Sequence, residues 1–470
     1  MSIIEDRRRE VGHLPPTLTD RGNAKLFVEL HRDRFRHVPG LGWFVWDGHR
    51  WKRPGGEEAA LWAAGEMIEE MPTSDPQGRF TRTELMQHRR KSLSTTRVKA
   101  LLAQAKASPD LAIDPGSLDG DPYILCTPAG VVDLYTGKIR APEALRDLNS
   151  RATQTSPELL PTPRWHRFLT DTFGDDPDGL EMISFLHLLL GYSITGDVGA
   201  QVLPFLQGQG KNGKSVLVDT VMQLLGDYAD AAPAGFLMDR GAVSEHATEL
   251  AELHGRRLVV CSELRPQDKF DEARVRSLTG GDKIKARRMR QDHFTFTPTH
   301  HLWLLGNHRP EVTTGGFAFW RRIRLIPFER VVPDERKVDN LALELVRDEG
   351  PGILQWLIDG ARRFLLTRDP LAGPRRVRMA TENYATTEDH IGRFLEECCE
   401  RVAQADGSLR VEQGELYDAY HTWCMHTEDV CPVGARVFAQ RVRQEIGLSS
   451  STEMIRSNGR KFYPGLALTR

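Results

Sequence analysis

The 470-residue chain has little of what would place it outside a cell or inside a membrane. Its six cysteines (Cys126, Cys261, Cys398, Cys399, Cys424 and Cys431) are too few and too irregular for a disulfide framework, which points to a reducing compartment. No apolar run approaches the roughly 18 residues of a membrane-spanning helix, and the opening MSIIEDRRRE is charged where a secretory signal would be apolar. Neither sign of charge dominates: 63 Lys and Arg stand against 65 Asp and Glu, a net charge of −2. No global basic field therefore advertises nucleic acid, and any such contact has to come from local patches. Internal repeats and low-complexity tracts are absent from the sequence. These absences leave a soluble, cytoplasmic protein of several domains as the expectation.

What the chain does have is QVLPFLQGQGKNGKSVLVDTVM, residues 201–222. An apolar run (Val202, Leu203, Phe205, Leu206) feeds a glycine-rich turn, Gly208, Gln209, Gly210, Lys211, Asn212, Gly213, Lys214 and Ser215. A helical pattern (Val216, Leu217, Val218, Val221, Met222) leaves it. Strand, loop and helix in that order are the setting of a phosphate-binding loop. Glycines let backbone amides close around a β-phosphate, Lys214 reaches the β- and γ-phosphates, and Ser215 can ligate Mg²⁺ at the positive end of the helix dipole. ATP and Mg²⁺ are the expected cofactors. A ligand-free glycine-rich turn is the plainer reading, and the matching flanks on both sides weigh against it.

Two further apolar runs end in polar residues. HGRRLVVCSEL sets Leu258 to Cys261 ahead of Glu263, a carboxylate suited to polarising an attacking water and to helping Ser215 hold Mg²⁺. HHLWLLGN ends at Asn307, whose amide can orient that water or touch the γ-phosphate. An ordinary surface residue after a strand is the alternative for each. Between them, VRSLTGGDKIKARRMRQDHFTF carries Lys283, Lys285, Arg287, Arg288 and Arg290 with no acid among them. Alternation puts Lys283, Lys285 and Arg287 on one strand face, with a hairpin turn at Arg288 to Gln291, an arrangement suited to a phosphate backbone. Finally, GGFAFWRRIRLIPFE sets Arg321 and Arg322 before Ile323, Leu325, Ile326 and Phe328. An arginine there can neutralise transition-state charge on a neighbouring subunit's ATP, with surface ion pairing as the plainer alternative.

The flanks read as smaller units. Thr19 is a helix N-cap candidate, and HVPGLGWFVWDGHRWKRP reads as a β-hairpin whose aromatics form its core more readily than they stack bases. Residues 58–107 are helical by pattern, YILCTPAGVVDLYTGKIRAP makes short strands, and PELLPTPRW is a proline-rich joint. At the other end, helices precede a hairpin with Asn458-Gly459 at its turn. That order suggests a winged-helix module in which Arg436, Arg441 and Arg443 on the helix and Arg456, Arg460 and Lys461 on the wing meet DNA. His421, Cys424, His426 and Cys431 lack the spacing of a zinc site. The expected fold is α/β: a P-loop ATPase core of AAA+ type at 156–335, an α+β domain at 1–155, a helical connector at 336–387, and a winged-helix-like domain at 388–470.

The ordered set of GQGKNGKS, a strand ending in Glu263, LTGGDKIKARR, a strand ending in Asn307, and FWRRIRLIPF resembles the superfamily 3 helicases. Within them it is most similar to the helicase part of phage and plasmid primase-helicases, related to the poxvirus primase-helicase ATPase. The resemblance implies a homo-hexameric ring that hydrolyses ATP between subunits, translocates on single-stranded DNA and unwinds forked DNA, in a bacterial host's cytoplasm if phage-encoded. It implies Lys214 and Ser215 for ATP and Mg²⁺, Glu263 as the acid, Asn307 as the sensor, Arg321 or Arg322 as the finger, and Lys283 to Arg290 on the DNA hairpin. Many members carry an acidic pair where this chain has Ser262-Glu263, so Mg²⁺ would rest more on Ser215 and water. No paired acid motif stands in the first 150 or so residues, so priming would fall to a separate primase. A replication-initiation or DNA-packaging ATPase, or a DNA-binding scaffold with a structural ATP site, are the alternatives.

Overall fold

The computed structural model describes residues 13–241, 247–262, 264–288, 293–332, 338–401, 409–427, 432–448, 450 and 453–469. Its first helix, Asp20–His31, begins where Thr19 accepts a hydrogen bond from the Gly22 amide at 3.1 Å, the bond a threonine cap supplies. Three antiparallel strands follow, β1 (Phe35–Val38), β2 (Gly42–Trp46) and β3 (Trp51–Lys52). Trp43, Phe44 and Trp51 are buried, so these aromatics are core, and the Trp51 indole donates to the Asp147 carbonyl at 2.8 Å. Helices Gly56–Glu69, Arg82–Ser92 and Thr95–Ala105 fill the expected helical stretch, with Arg90, Lys91, Arg97 and Lys99 exposed as a solvated face. A second small sheet holds β4 (Ile124–Thr127), β5 (Gly130–Asp133) and β6 (Ile139–Arg140).

Helices Pro163–Phe173 and Pro177–Ile194 lead into the central sheet. Its strands are β7 (Leu203–Gln207), β8 (Ala229–Ala231), β9 (Leu258–Cys261), β12 (His301–Gly306) and β13 (Ile323–Pro327). A hairpin of β10 (Ile284–Arg287) and β11 (His293–Phe296) is inserted between the third and fourth of these. The order is β13-β7-β12-β9-β8, every pair parallel. Leu206, Val260, Trp303 and Ile326 pack on one face with helix Lys214–Leu225, while Phe205, Val259, Leu304 and Leu325 pack on the other. Burial on both faces explains why these strands read as continuous apolar runs. β8 was not expected from the sequence, since Ala-Asp-Ala has little strand propensity.

From β7 the chain moves toward β12 and beyond, whereas from β12 it moves back across β7 to β13. The direction therefore reverses between β7 and β12, and in an open parallel sheet the crevice at the carboxyl ends of two such strands is where ligands bind. Helix Leu341–Thr367, expected as a separate connector, shares the apolar cluster of the central sheet: it packs along Pro177–Ile194 and Lys214–Leu225. Its Gly360 meets Gly191 so closely that a Cβ on Gly191 would lie 2.1 Å from the Gly360 carbonyl carbon. Helix Arg375–Glu388 lies against β13.

The C-terminal part has a core of its own around Phe394, Tyr420, Phe438 and Tyr463. It combines helices His390–Cys398, Gln413–His426 and Ala435–Glu445 with β14 (Cys399–Arg401), β15 (Arg410–Glu412), β16 (Ile455–Ser457), β17 (Arg460–Pro464) and β18 (Leu466–Leu468). Asn458 and Gly459 both have positive φ, 50° and 75°, so the Asn-Gly signal makes the turn between β16 and β17 that it predicts.

Candidate nucleotide site and cationic surfaces

The loop after β7 closes on itself. A Cβ on Gly208 would lie 2.1 Å from the Asn212 amide nitrogen and 2.4 Å from the Phe328 carbonyl oxygen, so no larger residue fits. Gly213 has φ 87° and sits over Phe168 and Thr172, whose side chains would be 3.1 Å from its Cβ. Lys214 opens the following helix, and its Nζ donates to the Gly208 carbonyl at 2.6 Å, the Asn212 side chain at 3.1 Å and the Asn307 side chain at 3.2 Å. Burial holds this ammonium below the ordinary lysine range. The Asn212 amide in turn donates to the Phe328 carbonyl at 3.0 Å, just past β13. Ser215 is exposed in the first turn of a helix that no side chain caps.

Four of the predicted residues thus meet at the reversal point: Gly208, Asn212 and Lys214 from the loop and Asn307 from the end of β12. Glu263 lies outside the described residues; it follows Cys261, the residue in register with Leu304 of β12, by two positions. The arrangement fits a bound nucleoside triphosphate, with glycines that leave room for main-chain approach, a lysine held at the loop's mouth, uncapped amides at a helix start and an exposed hydroxyl beside them.

Alternation in the inserted hairpin is as expected. Lys283, Lys285 and Arg287 are exposed, Ile284 and Ala286 are buried, and His293 and Thr295 share the outer face opposite Arg287 and Lys285. Arg288 turns inward and pairs with Glu252 at 2.7 Å, and Arg290 lies outside the described residues. On the wing, Arg456 and Lys461 face each other across the ladder, both exposed, whereas Arg460 pairs with Glu412 at 2.8 Å. Arg441 is committed elsewhere: it pairs with Asp389 at 3.0 Å and bonds the Thr314 carbonyl, joining the C-terminal part to the central one.

Arg321 and Arg322 differ sharply. Arg321 is exposed and bonds the Gln201 side chain. Arg322 is only 7% exposed; its Nε donates to Thr279 Oγ1 at 3.0 Å and its other nitrogens to Gln201 and the Ala318 carbonyl. Burial, and then the neighbouring Arg321 and Arg276, lower its pKa. Both stand before β13, at the end of the sheet away from the glycine loop. Gln201 and Thr279 as their anchors have no signal in the sequence, since each is remote from the arginines along the chain. Among the described residues no cluster of His, Cys, Asp and Glu could hold a metal, and no helix is long and apolar enough to cross a membrane. Cys424 is buried in the C-terminal core, and Cys431 is outside the described residues.

Residues 24–174 match the family described as "D5 N terminal like", and residues 206–322 match one described as "Family of unknown function (DUF5906)". A helicase-named protein of Acanthamoeba polyphaga mimivirus, L207/L206, is 24% identical over 443 residues, covering 85% of this chain and 45% of that protein. A helicase-named protein of Invertebrate iridescent virus 6, 184R, is 30% identical over 152 residues, covering 31% of this chain and 15% of its own. The chain spans less than half the length of these curated relatives. A solved structure titled as the apo C terminal region of NrS-1 superposes with a TM-score of 0.51 at 10% identity, covering 95% of this chain and 99% of that one, which shows a shared fold.

Proposed function

Because the chain belongs to the D5-like primase–helicase family, we propose that it is the motor part of an ATP-driven DNA helicase of a phage or related mobile element. The observation that carries this reading is the Lys214 ammonium bonded at once to the glycine loop and to Asn307. A lysine held there meets β- and γ-phosphates, and an amide beside it reports on the γ-phosphate. The strand order β13-β7-β12-β9-β8 supports an AAA+ type core, and the helices with the Asn-Gly hairpin support a winged helix.

In this reading MgATP, when bound, supplies the phosphoanhydride whose cleavage drives movement. Gly208 to Gly213 wrap the phosphates with main-chain amides, Lys214 offsets their charge, Ser215 faces the metal, and Glu263 takes the proton of the attacking water. Arg321 serves a neighbouring subunit. β13 runs parallel to β7 for five residues, roughly 16 Å at about 3.3 Å per residue, so Arg321 at its start is farther from its own loop than an arginine extends. Catalysis by Arg321 therefore requires a second copy, which supports a ring, expected as a hexamer. Lys283, Lys285 and Arg287 grip single-stranded DNA in the channel, and Arg456 and Lys461 touch DNA at the wing.

The test is ATP turnover with and without single-stranded DNA, beside displacement of a strand from forked DNA. Wild type should do both, and Lys214→Ala should do neither while melting as wild type does. Near-normal turnover by Lys214→Ala would sink the loop assignment. ATP binding without DNA-stimulated turnover would favour a scaffold, and turnover without displacement an initiation or packaging ATPase.

A further inference from the structure

A cavity of about 240 Å³ lies behind the inserted hairpin, away from the glycine loop. Five cations line it from separate stretches of chain: Arg50, Lys52 and Arg53 around β3, Arg151 in the segment after the β4–β6 sheet, and Arg288 at the end of β10. Two carboxylates share the lining, and both are engaged: Asp227 pairs with Arg50, and Glu252 with Arg288 at 2.7 Å. Asp47, outside the lining, also pairs with Arg50 at 3.3 Å and reaches Lys52 at 4.0 Å. Arg151 donates to the His254 carbonyl at 3.1 Å and, among the described residues, has no carboxylate at ion-pair distance. The Nε atoms of Arg151 and Arg288 are both buried without a partner. Burial, with Arg256 and Arg288 close by, pushes the Arg151 guanidinium down to about 10. Cations drawn together from remote segments repel one another, and a fold keeps them so at a cost that a polyanion between them would offset.

We propose that this cavity binds a phosphate group, carried by a nucleic-acid end or by a free polyphosphate. Guanidinium forks match phosphate oxygens in pairs, and several converging on a space of this size suit a terminal phosphate better than a continuous strand. The inference does not rest on the ATPase reading, since the lining contains no residue of the glycine loop. Occupancy would tie β3, the Arg151 segment and the root of the hairpin to one ligand.

The experiment measures melting temperature and binding of inorganic pyrophosphate in the Lys214→Ala chain, where the glycine loop is silenced. Pyrophosphate should raise the melting temperature, and adding Arg53→Gln or Arg151→Gln should weaken its binding by roughly tenfold or more. Lys52→Gln, at an exposed side chain, carries the test should Arg151→Gln fail to fold. Displacement by a 5′-phosphorylated oligonucleotide but not by its 5′-hydroxyl twin would assign a nucleic-acid end, and displacement by neither a free polyphosphate. No rise with pyrophosphate, or a rise that survives the combined Arg53→Gln, Arg151→Gln and Lys52→Gln changes, would overturn the proposal.

Discussion

Arg321 and Arg322 are adjacent in sequence and opposite in surroundings, so truncating each should fail differently. Arg322→Ala removes three hydrogen bonds from a charged, buried donor. Each such bond contributes roughly 1.5–3 kcal/mol, but the acceptors are not all stranded. Thr279 still donates to the Val275 carbonyl, Gln201 keeps Arg321, and repulsion from Arg276 and Arg321 is relieved. A net loss of about 2–3 kcal/mol follows, or roughly 4–12 °C for a cooperative unit of a couple of hundred residues. Arg321→Ala removes an exposed side chain and should cost about 0.5 kcal/mol or less, roughly 2 °C at most. Its effect should fall on turnover instead, by roughly a thousandfold if it acts as an arginine finger. The assay pairs melting curves with DNA-stimulated ATPase activity, then mixes Arg321→Ala with Lys214→Ala. An arginine that serves a neighbour predicts partial recovery in the mixture, because some interfaces then hold an intact pair. Wild-type turnover by Arg321→Ala would refute the assignment. An Arg322→Ala protein that melts normally, is inactive and is rescued by mixing would move the finger to Arg322.

Replacing Lys283 and Lys285 together by Ala should abolish DNA stimulation while basal ATPase activity and melting persist. The log–log salt slope of DNA binding should then fall by up to roughly 0.7 per lost contact, and an unchanged slope with unwinding intact would reject the channel role. Gly208→Ala should weaken ATP binding by roughly tenfold or more, about 1.4 kcal/mol, because its Cβ collides with Asn212 and the Phe328 carbonyl; a nucleotide titration matching wild type would contradict this. His300 and His301 are buried, with pKa values pushed down by burial to about 4 and about 3. The unfolded chain binds these protons near pH 6.5 and the folded one does not, so stability is present above about pH 6.5 and is lost as pH falls. Between pH 6.5 and 5 stability should fall with a slope on the order of 1–3 kcal/mol per unit for the pair, and a melting temperature flat across that interval would refute it.

Where neighbouring residues alone decide the structure, the sequence was readable. The glycine loop between strand and helix, the outward Lys283, Lys285 and Arg287, and the Asn458-Gly459 turn each depend on contacts a few positions long. Other features depend on distant partners. Ala229–Ala231 is a strand because Leu258 to Val260 pair with it, not because of its own residues. Arg322 is buried by Gln201 and Thr279, each remote in sequence, so nothing near the Arg-Arg pair distinguishes its two members. The inward turn of Arg288 toward Glu252 and the latch of Arg441 on Asp389 are likewise tertiary, and each withdraws a cation that composition alone would give to DNA. Helix Leu341–Thr367 looked like a connector because its pattern is merely amphipathic; the helices it packs on are more than a hundred residues earlier.

β13 joins two chemically distinct ends. Past its last residue, the Phe328 carbonyl is held by Asn212, which also holds Lys214; ahead of its first, Arg321 stands exposed. A strand pinned to its parallel neighbour along five consecutive positions is stiff lengthwise, and so behaves as a pushrod more than as a tether. If the proposed ring holds, a shift of the loop as its lysine exchanges a carbonyl for a phosphate travels along this rod and moves the arginine offered to the next subunit. Each site would then be coupled to the next through a single strand.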